Sequence, residues 1–183
     1  MRQRSAVSIA VFLAAATFLV AACSPITLLW LHTPASTVGA AGLGDSLYPA
    51  LGNGGYDVQH YDLALDVDPA AGALTGIATI AAVATQPLTQ FNLDLAGLTV
   101  DGVTVGDEPA TFARRNYELT ITPAVPLPAG ARFTTTVAYS GVPQPISDPN
   151  VGFSRMGWLQ EDDLIYIFNE QTGAMTWFPG NNH

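Results

Sequence analysis

The side chain best placed for chemistry in this sequence is a lone carboxylate, Glu170, near the C-terminal end. It follows the stretch Leu164–Phe168, whose β-branched and aromatic composition predicts a buried strand. A Trp-Phe-Pro group at residues 177–179 then closes the segment. A strand-end carboxylate flanked by aromatic groups has the layout of one wall of a binding site. From spacing alone, a solvated glutamate at a strand edge is the commoner outcome.

Other kinds of catalytic centre have no support in the sequence. The three histidines, His32, His60 and His183, do not form the H-E-x-x-H pattern that a zinc peptidase needs. The single cysteine, Cys23, excludes an intrachain disulfide and a thiolate metal cluster. A net charge of −9 without any lysine disfavours binding to phosphate backbones. We therefore expect no catalytic residue, no metal site and no nucleic-acid partner in this chain.

The first 31 residues predict export from the cytoplasm. Arg2 and Arg4 precede an apolar run over residues 6–22, as in an export signal. The run ends in Val-Ala-Ala before Cys23, which resembles the lipobox of bacterial lipoproteins, where the cysteine carries the lipid. An uncleaved membrane anchor is the alternative, because residues 26–31 extend the apolar stretch to a bilayer-spanning length. Either way we expect a bacterial domain outside the cytoplasm, secreted or tethered to the envelope membrane through residues 1–31.

Residues 32–55 are small and glycine-rich, which predicts a flexible linker before a domain at residues 56–183. Short extended stretches and turns then alternate, which predicts an all-β fold, a twisted antiparallel β-sandwich behind the N-terminal signal or anchor helix. Within residues 91–95 polar and apolar residues alternate strictly, so the face with Asn92 and Asp94 must be solvated or hydrogen-bonded. The expected strands are 56–67, 74–85, 91–95, 98–105, 110–113, 117–122, 132–139 and 164–168.

With these strands laid out, the chain from about residue 55 onward resembles the N-terminal domain of the aminopeptidase N family of zinc metallopeptidases. In that family a saddle-shaped β-domain precedes a thermolysin-like catalytic domain. Its most specific motif is a strand ending in Gln or Glu, a short turn, Phe-Pro-Cys, and an acidic or amide pair. Here the matching residues are Glu170, residues 178–180 and Asn181-Asn182. The alternating Tyr-x-Leu opening of residues 56–66 also resembles the family's first strand.

Two positions depart from the family pattern. Gly180 stands where the family has a cysteine, and Met175 replaces a basic residue that is common shortly before Trp-Phe-Pro. Both changes can weaken packing or substrate contacts, and neither removes the carboxylate of Glu170.

The resemblance implies a substrate-binding role for Glu170. An aminopeptidase must recognise the free ammonium group of a peptide, and a fixed carboxylate accepts a strong charge-assisted hydrogen bond from it. Zinc is implied in the full-length enzyme and is not expected on this chain. The leading hypothesis is a non-catalytic β-domain of an extracytoplasmic zinc aminopeptidase. The alternative is a stand-alone β-sandwich envelope lipoprotein that binds a ligand or a protein partner. The first predicts an exposed apolar patch around Trp177 and Phe178, whereas the second predicts none.

Overall fold

The computed structural model describes residues 37–147, 155–162, 164–170 and 172–182. The predicted signal or anchor at residues 1–31, including Cys23, lies outside these ranges. Within them, no helix has the length and apolar character needed to cross a membrane. The described elements are β1 (Thr37–Val38), β2 (Tyr56–Asp68), β3 (Ala73–Ala84), β4 (Leu88–Asp94), β5 (Thr99–Val105), β6 (Glu108–Pro109), β7 (Thr111–Arg115), β8 (Glu118–Thr122), β9 (Arg132–Gly141), β10 (Gly157–Glu161), β11 (Leu164–Phe168) and a 3₁₀ helix (Gly173–Thr176).

The strands form three sheets, and the all-β fold class is confirmed. Five strands pair in the order β2-β3-β9-β5-β6, and four pair in the order β1-β4-β8-β7. Strands β10 and β11 form a separate antiparallel pair. All pairings are antiparallel except that of the two-residue β1 with β4, which is parallel.

The core lies where the two larger sheets contribute their alternating apolar residues. Along β3 every second residue is buried, as the period of two along a strand requires when one face covers a core. An aromatic cluster joins strands of both sheets: the ring centroid of Phe91 lies 5.6 Å from that of Tyr56 and 5.3 Å from that of Phe133. Phe91 is 1% exposed, and full burial of a phenylalanine side chain stabilises a fold by about 1.5–3 kcal/mol.

A glycine in β3 makes room for the largest fully buried side chain. Gly76 is the cross-strand partner of Tyr139 in β9, and Tyr139 is 0% exposed. A Cβ atom on Gly76 would lie only 2.4 Å from the Cζ atom of the Tyr139 ring. The tyrosine ring therefore covers the backbone of β3, and a side chain at position 76 would displace it.

Residues 37–55 are part of the β-domain and do not stand apart from it. They belong to the same compact unit as the strands, so that unit begins before residue 56, where the composition placed its start. The Gly39 amide donates to the Gln90 carbonyl (2.8 Å), and the Gly54 amide donates to the Ala40 carbonyl (2.8 Å). A Cβ on Gly39 would lie 2.6 Å from the Gly54 oxygen. The glycines that suggested a linker thus allow two backbone segments to lie side by side.

Candidate functional site

Glu170 lies two residues past the end of β11 and is exposed. Strand β11 pairs with β10 in the register Gly157↔Phe168. The expectation that β11 is a buried strand is wrong. Three of its apolar side chains are 64%, 46% and 43% exposed, namely Leu164, Tyr166 and Ile167. The carboxylate therefore follows an apolar strand that reaches the surface.

The loop that carries Glu170 is closed by its own backbone and by one side-chain hydrogen bond. The Thr172 amide donates to the Glu170 carbonyl (3.1 Å), and the Gly173 amide donates to the Asn169 carbonyl (3.1 Å). The indole Nε1 of Trp177 donates to Oδ1 of Asn169 at 2.9 Å. Asn169, which lies between the end of β11 and Glu170, thus accepts hydrogen bonds from both Gly173 and Trp177.

The aromatic pair Trp177 and Phe178 is packed, contrary to the expectation of an exposed patch there. Their ring centroids lie 4.5 Å apart in an edge-on arrangement, and Phe178 also contacts Tyr61 edge-on at 5.8 Å. Both rings are half-buried against the main core. The exposed apolar surface lies on β11 instead.

A buried threonine fastens the 3₁₀ helix to β10. Thr176 is 0% exposed; its hydroxyl donates to the Gly173 carbonyl (2.8 Å) and accepts from the Trp158 amide (3.0 Å). Gly157 passes over this hydroxyl with a φ of 91°, and a Cβ there would lie 2.1 Å from Oγ1 of Thr176. The 3₁₀ helix that follows the Glu170 loop therefore packs against Gly157, and a side chain at position 157 would overlap Thr176.

Next to this loop, Asp94 at the end of β4 binds the tail of the described chain. The backbones of Asp94 and Gly180 exchange two hydrogen bonds of 2.7 and 3.1 Å. The Asp94 carboxylate accepts from Nδ2 of Asn53 (2.9 Å) and from the Asn182 amide (3.1 Å). Asp94 and Met175 line one small cavity of about 80 Å³. No sequence motif assigns a role to Asp94, although the strict alternation of residues 91–95 indicates a solvated or hydrogen-bonded face.

Asn181 adds further hydrogen bonds from the same tail. Its side chain exchanges two with the backbone of Asn53: Oδ1 accepts from the Asn53 amide (2.7 Å) and Nδ2 donates to the Asn53 carbonyl (2.9 Å). The Asn181 amide donates to the Tyr61 hydroxyl at 2.9 Å. The amide pair that matched the family motif is therefore bound to the domain through side chains and backbone.

The carboxyl groups of Asp94 and Glu118, which face each other on β4 and β8, both have raised pKa values. Asp94 is 2% exposed, and burial raises its pKa to about 6 although hydrogen bonds from Asn182 and Asn53 act in the opposite direction. Glu118 is the cross-strand partner of Asp94, and burial together with the Asp94 charge raises its pKa to about 7. Burial and the neighbouring Tyr61 and acidic groups also raise the pKa of Tyr56. These side chains form a polar, acid-rich cluster beneath the tail.

The donor set of the described residues does not fit a zinc site. Over these ranges, no three His, Cys, Asp or Glu side chains come close enough together to hold a metal ion. Glu170 is an exposed carboxylate, and such a group can accept charge-assisted hydrogen bonds from a cationic group.

Comparison with known proteins gave matches among solved structures. Neither a protein-family model nor a curated protein matches the chain. The M1 zinc metallopeptidase from Deinococcus radiodurans is 32% identical, with a TM-score of 0.70 over 78% of this chain and 32% of that chain. A mutant of the enzyme from the same organism, bound to a Tyr-Ser-Ala substrate, is 33% identical, with a TM-score of 0.69 over 78% of this chain and 33% of that one. A two-domain M1 zinc metallopeptidase mutant bound to L-arginine gives 33% identity, a TM-score of 0.70 and the same coverage.

The chain spans about a third of the length of these solved relatives. Their similarity covers 78% of this chain. The chain therefore belongs, as a β-domain, to the aminopeptidase N family of zinc metallopeptidases.

Proposed function

We propose that this chain is the non-catalytic β-domain of an extracytoplasmic zinc aminopeptidase and that Glu170 binds the ammonium group of the peptide substrate. The observation that carries the proposal is the position of Glu170. It is an exposed carboxylate on a loop held by Asn169 and Trp177, in a chain similar to enzymes solved with a Tyr-Ser-Ala substrate or an amino acid bound. A carboxylate held in this way can accept a charge-assisted hydrogen bond without first ordering a loop.

The exposed apolar side chains of β11 support the presence of a second domain in the functional protein. Leu164, Tyr166 and Ile167 lie on a short strand that leads directly to Glu170. Apolar side chains exposed together on one strand are a feature of surfaces that another protein surface covers. The alternative, a free-standing envelope lipoprotein, has no need of apolar exposure at this point.

Within such an enzyme, this domain and the catalytic domain would have different roles, because the described residues of this chain do not provide the ligands for zinc. The zinc ion, which polarises the scissile carbonyl and activates water, would be held by residues outside this chain. Glu170 would fix the distance between the substrate's amino end and the reacting bond. Export through residues 1–31, with Cys23 as the lipid-bearing residue or with an uncleaved anchor, would place the enzyme outside the cytoplasm.

Removal of the Glu170 charge in a complete enzyme tests the proposal. Residues 37–182 would replace the matching domain of the Deinococcus radiodurans enzyme, and Glu170→Gln would be compared with the unmutated graft. Loss of a charged hydrogen bond of about 1.5–3 kcal/mol predicts a kcat/KM lower by about 10- to 150-fold for an amino-acyl anilide. The same anilide without its amino group should show little change. Glu161→Gln, at the exposed end of β10, is the matched control and should behave as the unmutated graft.

Two outcomes would contradict this function. Equal losses on the substrates with and without the amino group would mean that Glu170 acts through folding and does not bind ammonium. Chelator-sensitive hydrolysis of anilides by the purified chain alone, with zinc added, would show that it is itself a catalytic unit.

A further inference from the structure

The hydrogen bonds of the tail converge on one buried carboxyl group. Asp94 contacts the tail through its backbone at Gly180 and through its side chain at the Asn182 amide. The same carboxylate accepts from Asn53, which is 1% exposed and itself binds Asn181. Three distant parts of the sequence, residues 53, 94 and 180–182, are therefore joined at this one side chain.

Among the residues that the structure describes, no cation is a cause of the pKa shift of this carboxyl group. Burial raises the pKa of this carboxyl group, and the hydrogen bonds donated by the neutral groups of Asn182 and Asn53 lower it. The groups that face it are acidic or phenolic: Glu118 opposite it on β8, and Tyr56 and Tyr61 on β2. Oε2 of Glu118 is buried without a hydrogen-bond partner. Because like charges on directly opposed strand residues repel and a buried charge is costly, ionisation of both carboxyl groups destabilises the closed arrangement.

We propose that Asp94 is the centre of a proton-dependent clasp, which holds the segment Gly180–Asn182 while its carboxyl group is protonated and releases it more readily when the group ionises. The clasp does not depend on the role proposed for Glu170. It would control how firmly the chain is held at the point where it leaves the domain.

The direction of the effect follows from linkage. In the closed state the pKa of Asp94 is raised from 3.8 to about 6, and an open tail would return the group to water and to its ordinary pKa. The closed state therefore binds a proton more strongly. Its advantage is complete below pH 4 and is lost as the pH rises from about 4 to about 6. A difference of about two pKa units corresponds to an increase of up to about a hundredfold in the open population.

Hydrogen exchange at the tail amides tests the clasp on the chain itself. In the unmutated chain, the protection factors of the Gly180 and Asn182 amides, corrected for intrinsic exchange rates, should fall by up to about a hundredfold between pH 4 and pH 7. They should also stay below that of the central β9 amide of Val137, which reports global unfolding. Asp94→Asn imitates the neutral carboxyl group and should make tail protection nearly independent of pH. Glu118→Gln removes the opposing charge and should reduce the fall.

Carboxyl ¹³C shifts of the unmutated chain provide a second measurement, which holds even where a variant does not fold. Titration of Asp94 near pH 6, together with loss of tail protection, supports the clasp. Three results would overturn it: titration of Asp94 near pH 4, the same pH dependence in Asp94→Asn as in the unmutated chain, or tail amides that exchange only at the rate of Val137.

Discussion

Replacing Gly157 with alanine should destabilise the domain by about 3 kcal/mol. A φ of 91° costs an L-residue about 1–2 kcal/mol. The new Cβ would also lie 2.1 Å from Oγ1 of Thr176 and 2.8 Å from the Gly173 carbonyl oxygen. To avoid this overlap Thr176 must move, and the buried Trp158 amide then loses its acceptor, at about 1–3 kcal/mol. For a domain of this size the melting temperature should fall by about 6–12 °C.

Urea unfolding followed by tryptophan fluorescence measures this loss, and a double-mutant cycle identifies its cause. Thr176→Ala alone should cost about 1–3 kcal/mol because it removes the acceptor of Trp158, whereas Thr176→Ser keeps it and should cost less. The penalty of Gly157→Ala should be smaller in the Thr176→Ala background, since part of the overlap is gone. Gly102→Ala in β5 is the control, because a Cβ there meets no atom within 4 Å. A loss below about 1 kcal/mol for Gly157→Ala, or strict additivity in the cycle, would refute the reasoning.

Three further predictions concern other positions and use urea unfolding as the assay. Gly76→Ala should cost about 1–3 kcal/mol, because its Cβ would overlap a buried tyrosine ring at 2.4 Å; a cost no larger than that of Gly102→Ala would contradict this. Gly180→Ala should change stability by less than about 1 kcal/mol, since the closest atom to a Cβ there is a ring carbon at 3.3 Å; a loss above about 2 kcal/mol would show that the tail cannot accept a side chain. The free energy of unfolding should fall as the pH rises from about 4 to about 7, by up to about 3 kcal/mol through the raised pKa of Asp94, with Glu118 adding less because it is more exposed; a stability that rises over this range would have the wrong sign.

The strands were predictable because each depends on a local pattern. The composition of residues 74–85 predicts a strand, and β3 covers Ala73–Ala84 with every second residue buried. Likewise 132–139 became β9, Arg132–Gly141. A period of two, bounded by turn residues, arises from strand geometry and needs no knowledge of distant partners. The same is true of the hydrogen-bonded face of residues 91–95.

Features that depend on distant contacts were not predictable in this way. Glycine-rich composition indicates a linker when the chain is taken alone, but Gly39 and Gly54 use the missing side chain to approach another backbone. The cluster around Asp94 contains hydrogen bonds between residues 53 and 94, between 94 and 182, and between 53 and 181, the last across 128 positions of sequence. No spacing rule relates such residues, because only the fold brings them together.

Strand β11 shows how far an apolar sequence determines burial. Five consecutive apolar residues predict that the strand is buried, but they do not indicate which surface buries it. Here Ile165 packs against the main core, while Leu164 and Tyr166 on the opposite face are exposed, as is Ile167 further along the face of Ile165. The composition that suggested a strand buried on both faces is equally that of a strand with one face on its own core and the other against a second domain. Because Glu170 lies two residues past the end of this strand, a domain that covered its outer face would also lie near the carboxylate, as a shared substrate site requires.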